Sequence, residues 1–468
     1  MYRFILLLCF IFPMESVFGQ MVTIRGQAID YAGKELTFFT YPEPVSHQPM
    51  QLAKTKIGME GSFLVSFHLD HTLEIYTDLE KYRGSLVVEP GALYQISLPA
   101  YSPRTRQEAA SPYFEPQLYW LGIMGAKPSD LNFLVRAFLT DYNMELSLHT
   151  MDLYQRKSVD SLKMIIQRLE KLYPTGKDPY FNTLKTYCYG EIEYAVMQPD
   201  EERTAKKYFA TKEVFLPHPA YQHLFNILFT DYLTYQSQDI RKKGFITPAV
   251  QGNFDKWVNQ LINQGFNRET AELLAVKSFY DGYFSNKFNK ETMLKGLKEA
   301  IANCSYESLK IALPGIVSKI TSLQEGSTAP ALLLRYQKVG ITPLRANGKF
   351  LYLAFFRSDS KEGRAELDTL VSMDKKLKTI LTVVPVSLDK NFQDAVQLWK
   401  EKKYPWELAG AADIDKALSA YRIKVVPTFY LISPDQKLLL SPALSPTHDF
   451  EALFLKIYRE NHFMQQRK

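Results

Sequence analysis

The chain has 468 residues and a formal net charge of +6, with 46% hydrophobic, 13% aromatic and 23% charged residues. That length exceeds what one core sustains and divides into about three domains, and the composition excludes large-scale disorder. Residues 326–468 hold 22 Lys and Arg against 15 Asp and Glu, a net of +7 that leaves −1 for the rest; the basic residues are scattered as on a solvated face, with no aromatic-interleaved stripe for nucleic acid.

Residues 1–19 read as a secretory signal: Arg3 gives a short basic start, residues 4–13 an apolar stretch, and Val17-Phe18-Gly19 a small-residue cleavage site before Gln20. The mature chain is therefore expected to begin at Gln20 and to lie outside the cytoplasm, in the periplasm or cell envelope. The apolar run is shorter than the ~20 residues that span a bilayer, and no later segment is long and apolar enough to do so. Residues 20–103 carry short runs rich in Val, Ile, Phe, Tyr and Thr, punctuated by glycines such as Gly26, Gly33, Gly61 and Gly91. This spacing predicts a β-sandwich or barrel of about seven strands. Residues 101–111 are polar and serve as a linker.

From 112 to 324 the period becomes helical. Leu131, Leu134, Val135, Phe138, Leu139 and Tyr142 recur at i, i+3, i+4, i+7, i+8 and i+11, and the same template fits Leu162–Leu172, Tyr221–Tyr232 and Phe254–Ile262. An all-α domain is expected, with its apolar stripes forming core. The two cysteines after the signal, Cys188 and Cys304, are 116 residues apart, which excludes a CxxC motif and a close-spaced metal knuckle. Each falls in line with helical apolar residues, so buried free thiols are expected over a disulfide.

From Gly326 onward strand and helix patterns alternate. Residues 350–356 read as a buried strand, 364–378 as a helix, 380–388 as a strand and 392–402 as a helix. Residues 425–432 with 437–440 read as a hairpin across Pro434-Asp435-Gln436, and 450–458 as a closing helix. The fold class is thus multidomain α+β, ending in an α/β domain with a mixed sheet over 326–462.

Five motifs in this last region, in order, give it a family resemblance. Gly326-Ser327-Thr328-Ala329-Pro330 looks like an opening G-x-x-A-P, Gly348-Lys349 precedes the strand LYLAFF, Arg364-Ala365-Glu366-Leu367 starts a helix, Val386-Ser387-Leu388-Asp389 ends a strand ahead of Trp399, and Val426-Pro427-Thr428 precedes another strand. Together they resemble the TlpA-like branch of the thioredoxin superfamily, exported thiol:disulfide oxidoreductases. The resemblance implies a thioredoxin-like domain, a cis bond before Pro427, and a groove beside it whose backbone groups pair with an extended peptide. Residues 22–99, with Gly61-Ser62-Phe63 and Val88-Glu89-Pro90-Gly91, resemble the β domain that precedes TlpA-like domains in exported proteins of Bacteroidetes.

The departures fall where the family keeps its chemistry. Against its motif, Asp359 replaces a tryptophan, Ser360 the attacking cysteine and Gly363 the resolving cysteine. Disulfide exchange requires a thiolate to attack and a second sulfur to resolve, and neither is present. Asp359 with Glu362 reads locally as a helix capping box, and the only histidines of the domain, His448 and His462, offer Ser360 no adjacent base. The groove candidates are therefore Asp359, Ser360, Gly363, Val426, Pro427 and Thr428, with Arg357, Lys361 and Arg364 near the rim and no catalytic residue.

Of other constellations, only Phe67-His68-Leu69-Asp70-His71 suggests a metal, and in a strand His71 would point away from His68 and Asp70. No HExxH, GxSxG, GxxxxGK[ST] or EF-hand pattern occurs. The sequence thus leads to an exported, non-catalytic thioredoxin-fold protein that binds a protein or peptide, with no cofactor and no metal. Its alternatives are a TlpA-like oxidoreductase completed by Cys188 or Cys304, and a structural envelope component.

Overall fold

The computed structural model of the protein describes residues 19–105, 108, 114–197, 201–210 and 213–465. The signal expected at residues 1–19 lies outside these apart from Gly19, as do Pro112 and residues 106, 107 and 109–111 of the linker. The chain forms two compact units, residues 1–104 with 115–317, and residues 105–114 with 318–468.

In the first unit, strands β1 (Gln20–Gln27), β2 (Glu35–Thr40), β3 (Met50–Lys56), β4 (Ser62–Leu69), β5 (Leu73–Leu79), β6 (Tyr82–Val88), β7 (Leu93–Ser97), β8 (Gln117–Trp120) and β9 (Gly122–Ile123) build two sheets, ordered β4-β1-β7-β9 and β3-β2-β5-β6-β8. Alternation explains the packing: β4 reads exposed and buried by turns, sending Phe63, Val65, Phe67 and Leu69 inward against Ile24, Phe38, Ile75 and Leu86. At Gly61, whose φ is +84°, a side chain would collide with the Ile29 backbone, so glycine is required there. The strand region extends past the linker, because β8 adds parallel to β6 and β9 antiparallel to β7. Strands thus run to Ile123, inside the region read as helical from 112, and the first long helix starts at Leu131, where its apolar stripe begins.

The helices that follow include α1 (Leu131–Leu148), α2 (Val159–Leu172), α3 (Pro179–Met197), α4 (Glu201–Phe209), α5 (Pro219–Phe229), α6 (Tyr232–Gln236), α7 (Lys243–Val250), α8 (Phe254–Asn263), α9 (Arg268–Phe284), α10 (Lys290–Asn303) and α11 (Glu307–Thr321). The stripe expected on α1 buries Leu131, Val135, Phe138 and Tyr142 against Phe181, Leu184 and Cys188 of α3. Val87 of β6 joins this cluster, and its backbone N–H donates to Asn132 Oδ1 at 2.8 Å, joining strands and helices within the unit.

The second unit holds a mixed seven-stranded sheet, in the order β11-β10-β14-β13-β12-β15-β16. Its strands are β10 (Leu333–Tyr336), β11 (Gly340–Pro343), β12 (Phe350–Phe356), β13 (Leu381–Ser387), β14 (Ala409–Ala411), β15 (Thr428–Ile432) and β16 (Leu438–Ala443), with helices α12 (Lys361–Leu377), α13 (Phe392–Lys402), α14 (Ile414–Ala420) and α15 (Phe450–Gln465). Every residue of β12 is buried, as an apolar run covered on both faces requires. Phe350, Tyr352, Ala354 and Phe356 pack with Leu367 and Leu370 of α12, Val396 of α13 and Phe450 of α15. Leu351, Leu353 and Phe355 pack on the other face with Ala417 of α14 and with Tyr421. Among the described residues no helix is long and apolar enough to cross a membrane.

Candidate functional site

Strand β12 delivers the chain to the turn 357–360, and α12 leaves from it. Ser360 is the N-cap: its φ and ψ of −79° and 122° are extended, and its Oγ accepts the Gly363 N–H at 2.9 Å. The turn is closed by the Ser360 N–H donating to the Arg357 carbonyl at 3.1 Å. This corrects the expected capping box by one residue. Asp359 lies outside the helix and takes the Arg357 guanidinium in a two-pronged pair, at 3.2 and 2.8 Å. The third helical residue is Gly363, which has no side chain to reach back, while Glu362 Oε2 accepts a hydrogen bond from the Ser360 hydroxyl at 3.3 Å.

A second bracket fixes the same turn, built from Ser387 and Asp389 of the strand-end motif together with Ser358. Asp389, just past β13, accepts from the Ser358 N–H at 3.0 Å and the Ser358 Oγ at 2.9 Å. Its other oxygen accepts from the Ser387 Oγ at 2.7 Å, and its own N–H donates to that Oγ at 3.1 Å. The Leu388 N–H adds a bond to the Phe356 carbonyl at 2.9 Å. The signal for this bracket was a Ser-x-Asp at a strand end together with a serine in the neighbouring turn, too common to single out.

The remaining groove residues come to the same end of the sheet. Strand β15 runs antiparallel to β12, and the ladder stops where Thr428 faces Phe355. Val426 and Pro427 therefore precede β15 at the same end of the sheet from which β12 leads into the 357–360 turn, beyond the last ladder pair. The Val426–Pro427 bond is cis, as is Ser441–Pro442, which the sequence did not announce. Val426, Pro427 and Thr428 are half-buried, and Val425 is 56% exposed.

Chemically the Ser360 hydroxyl donates its one hydrogen to Glu362 and accepts from the Gly363 N–H. The carboxylate beside it, which the sequence reading did not foresee, is exposed, and a carboxylate is a weak base for a serine. His448 instead hydrogen-bonds Ser445 at 2.8 Å and Thr447 at 3.2 Å. Cys188 and Cys304 belong to the first unit, and both are buried free thiols. Burial, with the Glu272 carboxylate at 3.2 Å, pushes the Cys304 thiol up to about 12, and burial with Glu191 pushes Cys188 higher still. Both are thiols rather than thiolates at neutral pH, the unreactive form. The His68–His71 segment ends its strand at Leu69, and Asp70 pairs with His71 in the turn at 2.6 Å. Among the described residues no group of three or more His, Cys, Asp or Glu is placed to hold a metal ion.

No protein-family model and no curated protein matches the chain. Solved structures similar to part of it include the thioredoxin domain of a thiol-disulfide oxidoreductase from Bacteroides vulgatus, at 24% identity over 29% of this chain and 99% of that one, with a TM-score of 0.27. A thiol:disulfide interchange protein from Bacteroides sp. matches at 25% identity over 25% of this chain and 81% of its own, with a TM-score of 0.24. A protein assigned as thiol:disulfide interchange protein DsbE from Chlorobium tepidum matches at 31% identity over 30% of this chain and 98% of its own, with a TM-score of 0.26. The likeness to thiol-disulfide oxidoreductases thus spans under a third of the chain.

Proposed function

We propose that this chain is an exported, non-catalytic thioredoxin-fold protein that binds an extended segment of a protein partner at the end of the second unit's sheet. The observation that carries the reading is the N-cap at Ser360. The residue standing at the family's nucleophile position has a hydroxyl committed to holding a helix start, and Gly363 offers no second sulfur. What remains is a surface. The half-buried Val426 and Pro427 lie beyond the β12–β15 ladder, which ends at half-buried Thr428, and there an extended chain can pair with main-chain groups. On this reading Asp359 and Ser360 supply the facing side, with Lys361 on the rim and Gly363 buried behind them. A fold by itself does not specify function, so the family's redox activity does not follow from the scaffold.

An insulin-reduction assay with dithiothreitol tests the non-catalytic half, with no acceleration over the uncatalysed rate expected; turnover by the unaltered protein would sink the reading. A photo-reactive residue at Val426, compared with one at exposed Lys416, tests the surface half in envelope extract. The same partners captured from both positions would place the interaction elsewhere. Export is tested by N-terminal sequencing of the protein from its native cell, which should begin at Gln20.

A further inference from the structure

In the first unit the sheet β3-β2-β5-β6-β8 meets the helices across a polar seam. Thr40, Glu43, Ser85, His218 and Gln222 are all buried there. Helix α5 ties the seam to the loop after β2: Gln222 Nε2 donates to the Tyr41 carbonyl at 2.8 Å, and Asn226 Nδ2 lies 3.0 Å from His47 Nε2. His218 is the N-cap residue of α5 and is 3% exposed.

Its tautomer follows from its neighbours. His218 Nε2 lies 3.2 Å from the Tyr180 carbonyl, which can only accept, so Nε2 carries the hydrogen of the neutral ring. The lone pair is then on Nδ1, which makes no hydrogen bond of ordinary geometry and has only the residue's own backbone near it. A second proton would place an N–H in a buried site where only the residue's own backbone, poorly aligned, could accept it. It would also set a cation at a helix N-terminus, where the dipole opposes it.

We propose that His218 is an acid-sensitive latch: its protonation frees the start of α5 and releases the Gln222 and Asn226 ties to the 41–47 loop, so that the seam opens on mild acidification. The titratable groups around it are few. Tyr180 of α3 stacks on the ring with centroids 4.3 Å apart, and burial holds its phenol far up, with Glu74 of β5 and Asp178 adding to the shift. Glu43 in the loop accepts from the Val45 and Ser46 N–H groups, and His223 of α5 pairs with Glu191 of α3 at 3.4 Å. His47 is the second histidine at the seam. Burial depresses His218 from its ordinary 6.5 to about 4. Its folded value is the lower one, so the closed seam loses stability as pH falls from the open-state value toward the closed-state value.

Hydrogen exchange of the full chain, corrected for intrinsic rates, tests this between pH 7.5 and 5. A group that titrates at about 4 when closed and 6.5 when open raises the opening constant by about 25-fold across that range. Segments 41–47 and 215–229 should rise together by that factor, and His47→Gln should leave the rise intact. His218→Gln, whose amide can still donate to the Tyr180 carbonyl without titrating, should abolish it. A flat profile, a midpoint above pH 6.5, or a rise that persists in His218→Gln overturns the latch. If His218→Gln does not fold, the ring titration of His218 by NMR decides, since a native value near 6.5 also overturns it.

Discussion

Replacing Ser360 and Gly363 together by cysteine should turn the candidate site into a working dithiol. A Cβ built on Gly363 lies 3.3 Å from the Ser360 Cβ and 3.5 Å from the Arg357 carbonyl. Disulfides hold their Cβ atoms about 3.5–4.5 Å apart, so the bond needs a shift of only a few tenths of an ångström. The thiolate at 360 would take the place of an Oγ that already accepts the Gly363 N–H at 2.9 Å at the start of α12. That N–H and the helix dipole should lower its pKa from about 8.5 to 7 or below, raising its thiolate fraction at pH 7 more than tenfold. Cys188 and Cys304 provide an internal blank, since burial keeps both protonated. The assay is the pH dependence of iodoacetamide alkylation, followed by insulin reduction with dithiothreitol. A variant whose new thiols titrate at 8.5 or above, or that stays unbonded in oxidised glutathione, would refute the claim that the first turn of α12 keeps the geometry and field of a redox site.

Three other perturbations follow from the same contacts. Ser360→Ala should lower the opening free energy of residues 360–368, read by hydrogen exchange, by about 1 kcal/mol as a lost N-cap, whereas Asp359→Ala should cost less than about 0.5 kcal/mol as a loss of one partly exposed ion pair; equal effects would restore Asp359 as the cap. Asp389→Asn should destabilise the 357–360 turn by about 2 kcal/mol, because the amide keeps one accepting oxygen and turns the other into an NH2 group facing the Ser358 N–H, and no change in exchange at 356–360 would contradict that bracket. Glu272, fully buried, accepts from Ser305 Oγ at 2.6 Å, the Tyr306 N–H at 2.8 Å and the Ser305 N–H at 3.0 Å; burial alone would raise its carboxyl, but these bonds hold it below the usual range. Its stabilising share is complete above the ordinary carboxylate pKa and is lost as pH falls through the lowered one, so Glu272→Gln should weaken residues 304–310 at pH 7 and flatten their acid response; an unchanged acid limb would refute the assignment.

Legibility followed the distribution of water around each element. Helices α1 and α8 bury one stripe and were readable from spacing, and β12 was readable as an unbroken apolar run. Helix α9 gave no period because it is buried on nearly all sides, and it carries Glu272 and Lys277 into the interior beside Leu273 and Leu274. Strands β10, β11 and β14 escaped notice because they are only 3 or 4 residues long. Strand β8 escaped as well, since three of its four residues are exposed and its place is fixed by a parallel partner far back in the chain. At the site, the sequence named the right turn and the wrong cap: Asp359 and Ser360 are both good N-caps, and only the phase of the helix relative to β12 chooses between them.

The pair Ser360 and Gly363 is locally self-consistent, which explains how the site can be well folded without sulfur. A glycine in a helix interior costs about 1 kcal/mol relative to alanine, and a serine N-cap returns about the same. The two are also linked sterically: a Cβ at 363 would sit 3.2 Å from the Ser360 Oγ, so the bare glycine leaves the hydroxyl room to settle on the Gly363 N–H. The Asp389 bracket then holds the turn from the side of β13, and the buried β12 fixes it from below. None of these interactions needs a reactive group, and each keeps the turn in the place from which the surface around Val426 is shaped. The turn is thus held by its cap, its bracket and the strand beneath it, with no sulfur among the groups that fix it.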